Sequence, residues 1–167
     1  MEINLSEVKA KIINLDGRPD RWERVKIEMD KIGVTNYERF PAIEGGWSGS
    51  VHSHLRAVSE GEGMTLIFED DVWFEPDLLD VLPKAISQLP DDFDMFYLGA
   101  NVKQPATRYS NNLFRVTCGV HTNHAILFSD NARNIIRNHF NENLINGQFD
   151  FGKYSAKFVT FDHWLFS

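Results

Sequence analysis

Cysteine is almost absent from this chain: Cys118 is the only one in 167 residues. No intrachain disulfide can form and no cysteine-rich zinc site exists, so a reducing compartment fits. Basic residues are also scarce, with 17 Lys and Arg against 24 Asp and Glu and a formal net charge of -7. A general binder of phosphate backbones collects cations on one face, so a nucleic-acid partner is not expected. Long apolar runs are missing too. No stretch approaches a bilayer span, and Met1–Val8 carries acid where a signal peptide carries base and then an apolar run. The expectation is a cytoplasmic protein with no transmembrane segment, peripheral membrane contact remaining open. Apolar residues, at 43% with 13% aromatic, suffice for a single domain over residues 1–167 that needs neither disulfide nor structural metal.

The chain is organised around Thr65–Phe74, where the apolar run Leu66-Ile67-Phe68 ends in three consecutive carboxylates, Glu69, Asp70 and Asp71. This pattern predicts a buried strand emerging at a polar edge. Adjacent like charges repel, so water, helix termini or a divalent cation must neutralise them there. An acidic turn before the next helix is the competing reading. In an extended segment Glu69 and Asp71 point to one side and Asp70 to the other.

Before this stretch, Lys11–Leu15 reads as a strand and Asp16–Asp20 as a turn. A helix follows with Trp22, Val25, Met29 and Ile32 as its buried stripe and Glu23, Arg24, Lys26, Glu28 and Lys31 on its wet side. Gly33 closes it. Val34–Ile43 holds a second strand, Gly45–Gly49 a flexible loop, and Ser50–Glu60 a helix with Val51, Leu55 and Val58 on one face. His54 lies beside that face, where a lone histidine is more often a satisfied structural residue than a ligand. After the acids, Pro76 sets a helix start and Pro83 predicts a kink or two short helices. Asp94–Gly99 is the next strand, so β-α-β-α-β-α-β predicts an α/β fold: a Rossmann-like, mostly parallel sheet flanked by helices. Asn101–Asn112 reads as a loop and candidate lid. Leu113–Val116 and His124–Phe128 are strand candidates, with Ser129 or Asp130 capping a helix that bears Ala132, Ile135 and Ile136. Lys157–Phe161 then leads to Asp162-His163-Trp164-Leu165, which looks like the start of another helix.

Several separated motifs resemble glycosyltransferase family 25, the group of bacterial lipooligosaccharide and collagen galactosyltransferases. They are Ile13-Asn14-Leu15-Asp16 with Arg18, Asp20 and Arg21; Gly49 with Ser53-His54-Leu55; Leu66–Val72; Tyr97-Leu98-Gly99; Asn123–Ser129; and Asp162–Leu165, in the right order. Ser50-Val51-His52 departs from the pattern, where relatives often carry a small or cysteine residue and an apolar one. Relatives also continue well past the Asp162 block, so a minimal core, a fragment or a degenerate copy is expected.

The resemblance implies a GT-A type fold, a UDP-sugar donor (galactose or glucose), commonly Mn2+, and inversion at the anomeric carbon. The acceptor would be a glycan, a lipid-linked glycan or a protein. A catalytically reduced nucleotide-sugar- or glycan-binding module of the same fold is the alternative. A divalent cation on the pyrophosphate would absorb the charge that develops as the diphosphate leaves, and hard oxygen ligands such as Glu69 and Asp71 suit Mn2+ or Mg2+. Glu69 is also a candidate ribose contact, and Asp70 a candidate for bonding the sugar or a neighbouring loop, against an ordinary capping or turn acid. Asn14, Leu15 and Asp16, at the carboxyl end of the first strand, are candidates for the base and ribose. Arg18 and Arg21 are candidates for phosphate or an anionic acceptor, against solvated charge. Ser53 and His54 are carried over as donor-site residues from the matched motif. An inverting transfer needs a base; Asp162 is the first candidate and Asp150 the alternative, with helix capping as the competing role for either. His163 either completes the metal shell or flanks Trp164. His121 and His124, three apart in a strand region, need not share a face, and neither is assigned to metal.

Overall fold

The computed structural model describes residues 3–102, 105–116, 120, 122–146, 148–150 and 163–166. The elements in chain order are β1 Lys9–Asn14, α1 Pro19–Lys31, β2 Tyr37–Pro41, α2 Gly46–Ser59, β3 Thr65–Glu69, α3 Leu78–Ile86 and β4 Met95–Tyr97. They continue with β5 Thr107–Arg108, β6 Leu113–Val116, β7 Ala125–Phe128, α4 Asp130–Glu142, β8 Leu144–Ile145, β9 Gln148–Phe149 and β10 His163–Phe166. Eight strands form one sheet in the order β2-β1-β3-β7-β4-β10-β6-β5, and β8 and β9 form a separate hairpin.

The sheet divides the core in two. Side-chain alternation along β1, β3, β7 and β4 sends Ala10, Ile12, Leu66, Phe68, Leu127 and Phe96 to one face, against Val25 and Met29 of α1 and Leu78 and Leu82 of α3. The other face carries Ile13, Ile67, Ile126, Phe128, Met95 and Tyr97, against Ala57 and Val58 of α2 and Ala132 and Ile136 of α4. Because both faces are covered, β3 reads as an unbroken apolar run. Its Leu66, Ile67 and Phe68 have no exposed surface, and burial of each contributes about 1.5–3 kcal/mol.

The sheet is mixed, which corrects the expectation of a mostly parallel one. β1 pairs in parallel with β2 and β3, and β10 with β4, but β7 runs antiparallel to both β3 and β4, and β6 antiparallel to β5 and β10. The short link between β5 and β6 allows only a hairpin, which reverses the chain, and β7 is laid down in that reversed direction. The opening of β7 therefore lies beside the carboxyl end of β3, with Phe68 in register with Ala125.

Local differences have local causes. α1 buries Val25 and Met29 as expected, but Glu28 is buried with them because Lys31 Nζ stands 2.6 Å from its carboxylate and the Phe74 amide donates to it at 3.1 Å. α2 begins at Gly46 instead of after a flexible glycine loop. Gly49 sits in its first turn because the chain at Ile43 and Glu44 passes so close that a Cβ would stand 2.4 Å from the Ile43 carbonyl oxygen. α3 runs unbroken through Pro83. The bond that proline forgoes would go to the carbonyl of Leu79, which is on the exposed side of the helix where water can take it. Ser129, not Asp130, caps α4, its Oγ accepting from the Ala132 amide at 3.1 Å. Asn101–Asn112, expected as an irregular lid, contains β5, which pairs with β6 at the edge of the sheet. His163–Leu165 belong to a strand, not a helix start. Lys157–Phe161, together with Cys118, His121 and Asp162, falls outside the described residues. Among the described residues no helix is long and apolar enough to cross a membrane.

Candidate active site

β3 ends at Glu69 and the chain turns at Asp70, so the three acids are splayed by a turn instead of alternating along a strand. The Glu69 amide donates to the His124 carbonyl at 2.9 Å, extending the β3–β7 pairing by one rung and fixing His124 beside the acids. Glu69 Oε2 lies 2.8 Å from His124 Nδ1, and Asp71 Oδ1 lies 3.8 Å from the same nitrogen. Ligand atoms of Glu69, Asp71 and His124 all fall within 4.8 Å of one another.

His54, on α2, joins from the other side, its Nε2 3.4 Å from Glu69 Oε1. Its Nδ1 lies 2.9 Å from the Ser50 carbonyl, and because a carbonyl only accepts, Nδ1 carries a proton. Nε2 thus faces the Glu69 carboxylate and, at 3.4 Å, the Asn123 carbonyl. Both of those groups are acceptors, so the imidazole of His54 closes the acid cluster on the α2 side.

Asp70 turns the opposite way and is buried. It accepts from Asn14 Nδ2 at 2.7 Å and from an Arg21 guanidinium nitrogen at 2.9 Å, and the same nitrogen reaches Asp71 Oδ2 at 3.0 Å. Asn14 is held in turn by Arg39, whose Nε donates to Asn14 Oδ1 at 2.7 Å. The carboxyl ends of β1 and β3 are thereby tied through Asn14 and Asp70, leaving Asp71 and Glu69 outermost.

A cleft of about 260 Å³ opens beside this cluster. Of the residues singled out from sequence, Leu15, Arg21, Ser53, His54, Glu69, Asp70 and Asp71 line it. Asn14 stands behind Asp70, while Asp16 pairs with Arg39 at 2.6 Å and Arg18 pairs with Asp20 at 2.8 Å, all three outside the lining. The Arg18 bond holds the Asp20 carboxyl well down, at about 2. Ser53 borders the cleft but its hydroxyl is engaged, donating to the Gly49 carbonyl at 2.7 Å and accepting from the Ile43 amide at 2.8 Å. Asp150, the alternative base, follows the β9 strand, and its amide donates to the Asn143 carbonyl at 2.8 Å. His163 starts β10 in register with Met95, at the end of β4 remote from the acids.

The sequence did not point to Glu44, Gly45 or Gly46, which complete the cleft. α2 starts there with no side-chain cap, and Gly45 at φ 134 lets the chain swing directly into the helix. His124 was also missed as a candidate ligand. Its signal lay in the direction of β7, since only a reversed strand puts its first residues at the carboxyl edge of β3.

No family model matches the chain, and no curated protein is significantly similar to it. The functional reading therefore rests on the motifs and on the site itself.

Proposed function

We propose that this chain is a metal-dependent glycosyltransferase of GT-A type, transferring a hexose from a UDP-sugar to a glycan, lipid-linked glycan or protein acceptor with inversion. The observation that carries this reading is the cluster of Glu69, Asp71 and His124 at the border of a cleft that holds Arg21 and the uncapped start of α2. The site lies at the carboxyl ends of β1 and β3, the edge at which open α/β sheets take ligands.

Charge favours a cation in this site. Among the described residues the cleft presents Glu44, Glu69, Asp70 and Asp71 against the guanidinium of Arg21, a balance that repels a bare diphosphate. The donor set fits a divalent ion: ligands at neighbouring corners of an octahedron stand about 3 Å apart, and Glu69 Oε2 and His124 Nδ1 are separated by 2.8 Å. The imidazole favours Mn2+ over Mg2+, which prefers oxygen alone. Such an ion, when bound, neutralises the charge that develops on the leaving diphosphate. The chain's own residues supply the rest. Backbone amides in the first turn of α2 suit a phosphate oxygen, and Leu15 and Ile13 give the nucleoside an apolar wall. Asp162 remains the candidate for taking the acceptor proton.

The test is thermal unfolding with UDP, with Mn2+, and with both. Ligand at a hundredfold its dissociation constant adds about 2.7 kcal/mol, which for a domain of this size is roughly 5–11 °C. The expected shift requires both components and is lost in Asp71→Asn. UDP release from UDP-galactose or UDP-glucose then reports transfer. No shift with UDP and Mn2+ together would overturn the reading.

A further inference from the structure

A second cleft, of about 380 Å³, adjoins the first. Asp71 belongs to the lining of both, and His124, Trp73, Leu98 and Gly99 help to line the second. Trp73 is 66% exposed, an unusual position for the largest apolar side chain so near the core. It is nevertheless held in place. Lys31 Nζ lies 4.6 Å from the centre of its ring, and that ammonium is anchored 2.6 Å from the buried Glu28 carboxylate, which also accepts from the neighbouring Phe74 amide. An indole fixed outward beside a carboxylate and an imidazole offers a flat apolar surface bordered by hydrogen-bonding groups. That combination matches a pyranose ring, whose C–H face packs on an aromatic plane while its hydroxyls seek polar partners.

We propose that this second cleft is the acceptor subsite and that it takes a pyranose ring against Trp73, an assignment that rests on the glycosyltransferase reading above. Two clefts meeting at Asp71 place donor and acceptor on either side of the metal-binding cluster. From there an acceptor hydroxyl oxygen forms the new bond to the anomeric carbon as the bond to the diphosphate oxygen breaks. The electron pair leaves with UDP, and the hydroxyl proton passes to a carboxylate base. Approach from the side opposite the leaving group accounts for inversion.

Two-dimensional amide and indole NMR spectra of the whole chain test this, with lactose, maltose, cellobiose and diacetylchitobiose as probes. At least one disaccharide is expected to shift the Trp73 indole and the Gly99 amide while leaving the Trp47 indole unmoved. Trp73→Ala should abolish the Gly99 response and Trp73→Phe should retain it. Absence of any response at Trp73 and Gly99, or a Gly99 shift that survives Trp73→Ala, overturns the proposal. UDP with Mg2+, titrated separately, reports at Leu15 and Gly46. A UDP response without a disaccharide response removes the acceptor cleft alone. The converse removes the donor reading and with it the acceptor role, leaving a sugar-binding cleft.

Discussion

Replacing Asp70 by Asn tests whether the middle acid braces the fold or meets the substrate. Asp70 is 7% exposed, and its two oxygens are committed to Asn14 Nδ2 at 2.7 Å and Arg21 at 2.9 Å. An asparagine keeps the shape but turns one acceptor into a donor. Whichever way the amide sits, it must point its NH2 at either the amide of Asn14 or the guanidinium of Arg21. The lost charge-assisted bond costs about 1.5–3 kcal/mol and the stranded donor about 1–3 more. Relief of repulsion among the three acids offsets part of this, leaving a net loss of about 2–4 kcal/mol. Urea unfolding followed by circular dichroism should show that loss as a lower midpoint with an unchanged slope. The melting temperature should fall by roughly 4–16 °C. Asp71→Asn is the companion measurement. The Asp71 side chain is 40% exposed and its contact with Arg21 is an open ion pair, so its loss should cost under about 1 kcal/mol. A cost below about 0.5 kcal/mol for Asp70→Asn would refute the bracing role and return Asp70 to the candidate substrate contacts.

Gly49→Ala drives a Cβ into the Ile43 carbonyl and should cost about 1–3 kcal/mol while weakening the UDP and Mn2+ response by displacing the start of α2. Gly17→Ala, where a Cβ meets nothing within 4 Å, should stay within about 0.5 kcal/mol in the same unfolding assay. Burial alone would raise the Glu28 carboxyl, but the Lys31 ammonium and the Phe74 amide outweigh it and hold it below its ordinary 4.5. Its contribution to stability is therefore complete above that value and is lost as pH falls through the lowered one. Glu28→Gln should accordingly flatten the acid limb of stability against pH, as measured by urea midpoints from neutral pH downward.

The parts of the fold that were legible in the sequence are those governed by period and punctuation. The apolar run of β3, the Trp22–Val25–Met29 stripe of α1 and the Ser129 cap follow from side-chain spacing and local hydrogen bonding, and they form as expected. Glu28 escaped because a carboxylate on a helix reads as solvated unless its partner is visible, and the Phe74 amide is 46 residues away. His124 escaped because strand direction is set by which neighbours pair, and nothing in the order of strands and helices up to β4 announced a reversal. Gly45 and Gly46 were read as slack. They instead start α2 without a side-chain cap and line the cleft.

The reversal of β7 also makes the acid–histidine cluster hostage to the core. A slip of one residue along this strand would carry Ile126 and Phe128 from the α2–α4 side of the sheet to the α1–α3 side and exchange them for Leu127 and Ala125. It would also pull the His124 carbonyl off the Glu69 amide at one end of the strand and the Ser129 amide off the Asp94 carbonyl at the other. Two packed interiors therefore hold the backbone of His124 in register beside that of Glu69. That register is set by the buried layers, so surface loops around the cleft are free to diverge without retuning it.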